Sequence, residues 1–260
     1  MNVSTINDIE DNKLKLPPIP SNSFLITLKI ARFDPDNPES IGWQSFCVPC
    51  LPSDRLLNLL HYIKWHLDGT LTFRRSCAHG VCGSDAMRVN GVNRLACKVL
   101  MRDLLHNTRK CKVITIEPIR GLPLKRDLIV DMEPFFEAYR AVKPFLIKRK
   151  NQSIKENIQS ISDRARYDDT TKCILCACCT TSCPVFWNEK SYFGPASIVN
   201  AHRFIFDSRD EAAAERLDIL NEMDGVWRCR TTFNCTEACP RGIKVTKAIQ
   251  EVKRALMFAR

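Results

Sequence analysis

Hydrophobic and polar positions alternate with a period of two in short stretches of the first half of the chain. "FLITLKI" at residues 24–30 and "CKVITIE" at residues 111–117 are rich in the β-branched and aliphatic residues that favour strands. Residues 86–96 place Asn90 and Gly91 between two short apolar runs, and this dipeptide is a strong signal for a tight hairpin turn. We therefore predict a strand at each end of this half and a hairpin before the second one.

One stretch between the predicted strands has the helical period instead. In "RLLNLLHYIKWHLDG", residues 55–69, the apolar side chains recur every three or four positions, at Leu56, Leu59, Leu60, Ile63 and Leu67. Gly69 is suited to the C′ position just beyond a helix. Strand, helix, hairpin and strand together predict a small α+β domain.

The helical period dominates the second half. It is found in residues 132–146, 197–220 and 246–259, with cysteine-containing loops between these stretches. We predict an N-terminal extension at residues 1–22, the α+β domain at residues 23–125, and an all-α domain at residues 126–260. With 260 residues, the chain is long enough for two such cores.

The chain contains 14 cysteines, and most of them fall in three groups. The groups are positions 77, 82 and 97; positions 173, 176, 178, 179 and 183; and positions 229, 235 and 239. The N-terminal segment "MNVSTINDIEDNKLKLPPIP" is polar and has no apolar core typical of an export signal. Clustered C-x2-C spacings without such a signal favour metal binding over disulfides and predict an intracellular protein. We also expect no membrane-spanning segment, because no run approaches the roughly 18–20 apolar residues that a bilayer requires.

The first cysteine group matches the plant-type pattern for a [2Fe-2S] cluster, which is C-x4-C-x2-C followed by a distant fourth cysteine. Cys77, Cys82 and Cys97 occupy three of the places, and Asp85 occupies the remaining one. A carboxylate is anionic and can bind iron, so we predict Asp85 as the fourth ligand. The alternatives are that Asp85 caps the turn while Ser84 or water completes the site, or that the cysteines bind nothing.

The other two groups match the bacterial ferredoxin pattern C-x2-C-x2-C-x3-C-P, in which the fourth cysteine of each run binds the other cluster. The first run, "CILCACCTTSCP", is complete, whereas the second, "CRTTFNCTEACP", has Thr232 where a cysteine is expected. The crossed pairing predicts a [4Fe-4S] site with the ligands Cys173, Cys176, Cys179 and Cys239. It leaves only three thiols for the other site, which predicts a [3Fe-4S] cluster bound by Cys183, Cys229 and Cys235.

The remaining cysteines have no place in these patterns. We interpret Cys178 as a small buried residue and Cys111 as a structural residue of a strand. Cys47 and Cys50 form an isolated "CVPC" with no partner pair nearby, and we do not assign them a metal.

The formal net charge of +10 is compatible with nucleic-acid binding. Three oxidised clusters with their thiolates would reduce that charge to about +5, so much of the basic excess offsets the clusters. We therefore predict no nucleic-acid partner. A basic face toward a membrane or an acidic partner remains open.

This arrangement resembles the iron–sulfur subunit of succinate dehydrogenase and of its relative fumarate reductase. The resemblance extends from about residue 24 to the C-terminus and includes "SCAHGVCGSDAM", "RGLPLKRDLIVDM", "CILCACCTTSCPVFW", "FIFDSRD" and "CTEACPRGIKVTKAI". It implies a β-grasp ferredoxin-like domain with [2Fe-2S], followed by an all-α domain of bacterial-ferredoxin type. It also implies a partner flavoprotein with FAD, membrane anchor subunits, and electron flow through the three clusters to a quinone.

Further site residues follow from the same resemblance. The family's quinone pocket uses a proline and a tryptophan that match Pro184 and Trp187, and often a histidine whose place is taken here by Arg230. Many family members also have cysteine at the place of Asp85. Without a transit peptide, we expect a peripheral protein on the cytoplasmic face of a bacterial plasma membrane.

Three alternatives to a succinate dehydrogenase subunit remain at this point. One is a fumarate reductase subunit working in the opposite direction. Another is the iron–sulfur subunit of a different flavoprotein, such as a glycolate- or disulfide-linked oxidoreductase. The third is a structural iron–sulfur domain of a nucleic-acid enzyme, although such a domain needs one cluster rather than three.

Overall fold

A computed structural model describes residues 23–106, 113–148 and 156–258. The first half of the described chain forms a mixed five-stranded sheet in the order β2-β1-β5-β3-β4, in which β1 and β5 are parallel. The strands are β1 (Phe24–Asp34), β2 (Asn37–Cys50), β3 (Ala86–Val89), β4 (Val92–Leu95) and β5 (Val113–Glu117). Alternate residues of β1 and β5 face the core, including Ile26, Leu28, Ile30, Ile114 and Ile116.

The predicted hairpin is confirmed. Val89 pairs with Val92, and both turn residues have positive φ, 48° at Asn90 and 81° at Gly91. Two consecutive left-handed residues form the turn whose twist matches that of the flanking strands. Asn90 Oδ1 also accepts a hydrogen bond from the Thr115 N–H at 2.9 Å, so the turn is bound to β5.

The predicted helix in this half is α1 (Leu56–His66), and it buries Leu56, Leu59, Leu60 and Ile63 as expected. The expectations for its C-terminal end are wrong. The C-cap is Leu67, which is 42% exposed, and Gly69 lies beyond the C′ position. Asp68 occupies that position and forms an ion pair with Arg32 at 2.7 Å, which directs the chain away from the helix axis.

Strand β2 was not predicted, because its sequence contains Pro38, Gly42 and Pro49. It lies at the edge of the sheet, where a proline without an N–H group is tolerated. Its long antiparallel pairing with β1 supplies the order that the local sequence lacks. The prediction for Cys111 lies outside the described residues.

The second half begins with a two-stranded hairpin of β6 (Leu124–Arg126) and β7 (Ile129–Val130). The described residues after this hairpin form helices and loops. After α2 (Met101–His106) in the first half, the helices are α3 (Glu133–Ala141), α4 (Ile161–Tyr167), α5 (Pro184–Asn188), α6 (Gly194–Ile205), α7 (Ala213–Asn221), α8 (Asn234–Glu237) and α9 (Val245–Phe258). Within these described segments, no helix is long and apolar enough to cross a membrane.

The stretch 197–220, predicted as one helix, is two helices joined by a loop. Asp210 in that loop forms an ion pair with Arg216 at 2.6 Å, and both side chains are fully buried. Arg216 also donates hydrogen bonds to the carbonyl oxygens of Lys143 and Phe145. These long-range contacts fix the loop and interrupt a pattern that is locally helical.

The β6–β7 hairpin spans the predicted domain boundary between residues 125 and 126. Asp127 in its turn is buried and accepts hydrogen bonds from Arg32 and from the Phe33 and Thr72 N–H groups. Leu128 packs in the core of the first half. The residues just after the predicted boundary are thus attached to the first domain, and the boundary itself stays a prediction.

Candidate iron–sulfur cluster sites

The first site is a loop between α1 and β3 that turns backbone N–H groups toward sulfur. The N–H groups of His79 and Cys82 each lie 3.3 Å from Cys77 Sγ. Hydrogen bonding by the His79 N–H, and then by the Cys82 side chain and further backbone N–H groups, lowers the pKa of the Cys77 thiol to about 6. A thiol with such a low pKa is largely a thiolate at neutral pH, which is the form that binds metal.

Glycines allow this loop to turn tightly. Gly80 and Gly83 have φ of 73° and 70°, a region that favours glycine. A Cβ atom at Gly80 would lie 2.4 Å from the Lys98 side chain, so this position is also closely packed.

Asp85 lies beside Cys97, as the sequence predicts, and only 4% of its surface is exposed. Its Oδ2 accepts a hydrogen bond from the Cys97 N–H at 2.5 Å, while its Oδ1 is buried and has no hydrogen-bond partner among the described residues. Burial, and then the hydrogen bond with Asp85, raise the pKa of the Cys97 thiol to about 12. A buried carboxylate oxygen without a partner is costly and fits a metal ligand.

The four cysteines predicted for the [4Fe-4S] site line one cavity. Its lining includes Cys173, Cys176, Cys179 and Cys239, which come from two cysteine runs far apart in sequence. Burial raises the pKa of the Cys179 thiol well above its usual value, and the neighbouring charges that add to this effect are those of Cys176, Cys173 and Cys239, followed by Cys235. The fold thus brings together the four thiols of the crossed pairing.

The three thiols proposed for the [3Fe-4S] site form the third cysteine set, after those of the [2Fe-2S] site (first set) and the [4Fe-4S] site (second set). Burial raises the pKa of the Cys183 thiol, and the charge of Cys229 adds to it. Burial also raises the pKa of Cys235, with further contributions from the charges of Cys229 and Cys183. Cys183 lies in the same buried core as Cys235 of the second run, which is compatible with the crossed pattern.

The loops of the two cysteine runs share a backbone pattern. Leu175 and Ala177 have φ of 54° and 61°, and Thr231 and Phe233, at the equivalent places in the second run, have φ of 56° and 63°. Left-handed residues are uncommon outside glycine, so their repetition indicates the same loop conformation. In this alignment Thr232 takes the place of Cys176, and its side chain is exposed.

Within the described part of the chain, no three His, Cys, Asp or Glu side chains converge closely enough to bind a single metal ion. This is compatible with cluster binding, because the thiolates around a cluster bind different irons and are held apart by its core. The thiol sets, the unpartnered Asp85 oxygen and the left-handed loops all fit iron–sulfur groups. The individual ligand assignments stay predictions.

The residues proposed for the quinone pocket are only partly grouped. Pro184 is the first residue of α5 and directly follows Cys183. Trp187 lines a surface cavity with Ser182 and Asn234, and neither Pro184 nor Arg230 is in that lining. The Trp187 indole N–H donates to the Thr181 carbonyl oxygen at 2.8 Å. Arg230 is exposed beside Cys229.

The other cysteines differ in exposure. Cys178 is fully buried in the core of the first half, as expected. On β2, Cys50 is buried and Cys47 is exposed.

Sequence reasoning missed two polar side chains that contact the thiols. Asn200 on α6 is buried, and its Nδ2 lies 3.5 Å from Cys173 Sγ. Thr246 on α9 is also buried, and its hydroxyl lies 3.6 Å from Cys235 Sγ. Both lie on predicted helices, where a polar residue at an otherwise apolar position was the available signal.

Comparison with known proteins agrees with this organisation. Residues 27–137 match a family described as the 2Fe-2S iron-sulfur cluster binding domain, and residues 169–243 match a family described as the 4Fe-4S dicluster domain. The chain is 40% identical over 236 residues to the succinate dehydrogenase iron-sulfur subunit of Coxiella burnetii. This alignment covers 89% of this chain and 97% of the relative. It is also 40% identical over 232 residues to the subunit of the same name from Paracoccus denitrificans, covering 88% and 86%.

A solved structure shares the fold. A chain of the Mycobacterium smegmatis Sdh1 complex in the apo form superposes with a TM-score of 0.82 at 23% identity, covering 92% of this chain and 98% of that one. The strand-rich [2Fe-2S] ferredoxin domain followed by a helical ferredoxin-type domain is thereby confirmed. The chain belongs to the family of succinate dehydrogenase iron–sulfur subunits.

Proposed function

We propose that this protein is the electron-transfer subunit of a succinate dehydrogenase and relays electrons from a partner flavoprotein containing FAD to a membrane quinone. The proposed ligand sets are Cys77, Cys82, Asp85 and Cys97 for [2Fe-2S]; Cys173, Cys176, Cys179 and Cys239 for [4Fe-4S]; and Cys183, Cys229 and Cys235 for [3Fe-4S]. When bound, such clusters accept and release electrons at potentials set by cluster type, hydrogen bonds to the sulfurs and solvent exposure.

The contact between successive cysteine sets is the observation that carries this proposal. A Cβ atom at Gly83, in the first loop, would lie 2.5 Å from the Cβ of Cys176 in the second set. The second set in turn adjoins the third, because Cys179 shares one buried core with Cys183 and Cys235. Each set therefore lies beside the next.

The chain ties these sets together and buries four of their ten cysteines. Asn93 on β4 donates hydrogen bonds to the Cys178 carbonyl oxygen at 3.1 Å and to the Thr181 hydroxyl at 2.8 Å, which ties the first domain to the second cysteine set. Cys97, Cys179, Cys183 and Cys235 are each at most 8% exposed. A buried, fixed arrangement of this kind limits reorganisation around a redox group.

We propose that electrons leave beside the third set. Thr232 and Arg230 are exposed there, and Pro184 and Trp187 lie on the short helix that follows Cys183. The indole ring offers an apolar face to a quinone. Its N–H group is engaged with Thr181, so we expect Trp187 to position the quinone by packing.

Family membership implies a complex with other subunits. We propose that these are the flavoprotein, in which succinate is oxidised, and membrane anchor subunits, with this chain peripheral at the cytoplasmic face of a bacterial plasma membrane. The reverse reaction of a fumarate reductase is not favoured, since both curated relatives are named for succinate dehydrogenase.

The test is an assay of the purified complex with succinate and quinone in one arm and quinol and fumarate in the other. We expect succinate-dependent quinone reduction to be faster than quinol-dependent fumarate reduction. We also expect a three-iron signal in electron paramagnetic resonance of the air-oxidised protein. A complex without that signal would contradict the assignment of Cys183, Cys229 and Cys235.

The proposed exit makes a prediction for Trp187→Leu. Loss of the large ring should lower quinone reduction, while succinate oxidation by a small artificial dye should persist. Trp43→Leu is the control, because Trp43 is an exposed tryptophan on the edge strand β2 and should affect neither activity. Equal loss of both activities in Trp187→Leu would mean that the residue supports the fold instead.

A further inference from the structure

Tyr192 is a buried tyrosine that the proposed function does not yet use. It lies between α5 and α6 and is only 1% exposed. Its N–H donates to the Glu189 carbonyl oxygen at 3.1 Å, and the next residue, Phe193, donates to the Asp224 carbonyl oxygen at 3.1 Å. The backbone around Tyr192 is therefore fixed on both sides.

The side chain packs in the core of the helical domain, but the described residues do not satisfy its hydroxyl. Its Oη is buried and has no hydrogen-bond partner among the residues that the structure describes. Tyr167, which is equally buried, has two partners, Gln159 at 2.6 Å and Arg209 at 3.0 Å. A buried hydroxyl without a partner is strongly disfavoured, which indicates that the Tyr192 hydroxyl has a partner outside the chain.

The neighbours of this hydroxyl identify the chemistry of that partner. Tyr192 shares its core with Cys179, Cys183 and Cys235. Burial raises the pKa of the phenol, and so do the thiolate charges of Cys229, Cys183 and Cys235, followed by Cys179. The phenol therefore keeps its proton at neutral pH and is a buried donor in the same core as Cys183 and Cys235 of the third set.

We propose that the Tyr192 hydroxyl donates a hydrogen bond to a sulfur of the iron–sulfur group held by Cys183, Cys229 and Cys235. This inference rests on the proposed function, which assigns those three thiols to one cluster. A hydrogen bond to an anionic sulfur is stronger when the cluster carries its extra electron, so it favours the reduced state. Tyr192 is thus a positioning residue that raises the reduction potential of the last group before the quinone.

The experiment compares Tyr192→Phe with Tyr167→Phe in the purified complex. Both variants remove one buried hydroxyl from the same domain, but Tyr167 donates and accepts only within the protein. A redox titration followed by electron paramagnetic resonance gives the potentials of all three centres. In Tyr192→Phe we expect the three-iron centre to become about tenfold harder to reduce, equivalent to ~59 mV, with the other two centres unchanged. Tyr167→Phe should leave all three potentials unchanged.

Several outcomes would overturn the inference. An intact three-iron signal with an unchanged potential in Tyr192→Phe would show that the hydroxyl does not contact this group. A shift confined to the four-iron centre would place the hydrogen bond on the other cluster. A three-iron signal missing from the wild type would reject the proposed function itself, which distinguishes the two failures.

A second measurement uses the wild type and does not depend on how the variant folds. In wild-type protein exchanged into deuterated water through unfolding and cluster reconstitution, the three-iron signal should show a coupled deuteron. The absence of any such coupling would contradict the hydrogen bond.

Discussion

At the scale of single residues, Asp85 is the proposed fourth ligand of the first site. One carboxylate oxygen accepts the Cys97 N–H, and the other is buried without a partner among the described residues. If Asp85 binds iron, Asp85→Ala should lose the [2Fe-2S] absorption and electron paramagnetic resonance signals, while Asp85→Cys should retain them. The other two centres should remain in both variants.

Two further variants separate a ligand from a turn cap. Asp85→Asn retains an oxygen that can accept the Cys97 N–H but lacks the charge that iron requires, so it should lose the cluster. Ser84 lies 3.2 Å from Cys82 Sγ and is the alternative oxygen ligand, yet Ser84→Ala should keep the full spectrum. An unaltered spectrum in Asp85→Ala would reject Asp85 as a ligand.

At the scale of the element, the loop of residues 229–235 has the same backbone conformation as the loop of residues 173–179, but it has one cysteine fewer at the ligand positions. Because Thr231 and Phe233 are left-handed at the places of Leu175 and Ala177, the position of Thr232 corresponds to that of Cys176. Thr232→Cys should therefore supply a fourth thiolate and convert the three-iron centre toward [4Fe-4S]. An added anionic ligand makes the centre harder to reduce, and a fall of ~120 mV would disfavour reduction about a hundredfold.

This conversion is checked by electron paramagnetic resonance and by iron content. The three-iron signal of the air-oxidised protein should weaken, the iron content should rise, and electron delivery to quinone should slow. Thr231→Cys, one position away in the same loop, is the control and should keep the three-iron signal. Full retention of that signal in Thr232→Cys would show that the side chain at position 232 faces away from the place of the missing fourth thiol.

At the scale of the whole molecule, the approach of Gly83 to Cys176 joins the two domains at the point where electrons would cross. Gly83→Ala would combine a strained φ, costing about 1–2 kcal/mol, with overpacking that typically adds about 1–3 kcal/mol. We expect lower stability and slower reduction of the four-iron centre, because the two loops must move apart.

Gly242→Ala separates these two effects. Gly242 also has a positive φ, 68°, but a Cβ atom added there would meet nothing within 4 Å among the described residues. This variant should lose stability through the backbone alone and leave electron transfer between the domains unchanged. Thermal unfolding together with freeze-quench electron paramagnetic resonance would check both expectations. Equal transfer rates in the two variants would contradict a functional role for the Gly83 contact.

The sequence by itself determined the identity and spacing of the thiols, the Asn90-Gly91 hairpin and the positions of the longer helices. Each of these is encoded within a few residues, through side-chain period, turn chemistry or ligand spacing. The pattern for crossed ferredoxin runs even predicted which distant cysteines belong together, and the cavity lined by Cys173, Cys176, Cys179 and Cys239 agrees with it.

Only the tertiary structure decided features that depend on contacts between distant segments. Strand β2 forms despite its prolines because β1 pairs with it, and the helix predicted across residues 197–220 is broken by the buried pair of Asp210 and Arg216. The contact of Gly83 with Cys176, the hydrogen bond from Asn200 to Cys173, and the unpartnered Tyr192 hydroxyl also arise from packing. Local sequence cannot encode these features, because their free energies come from partners far away along the chain.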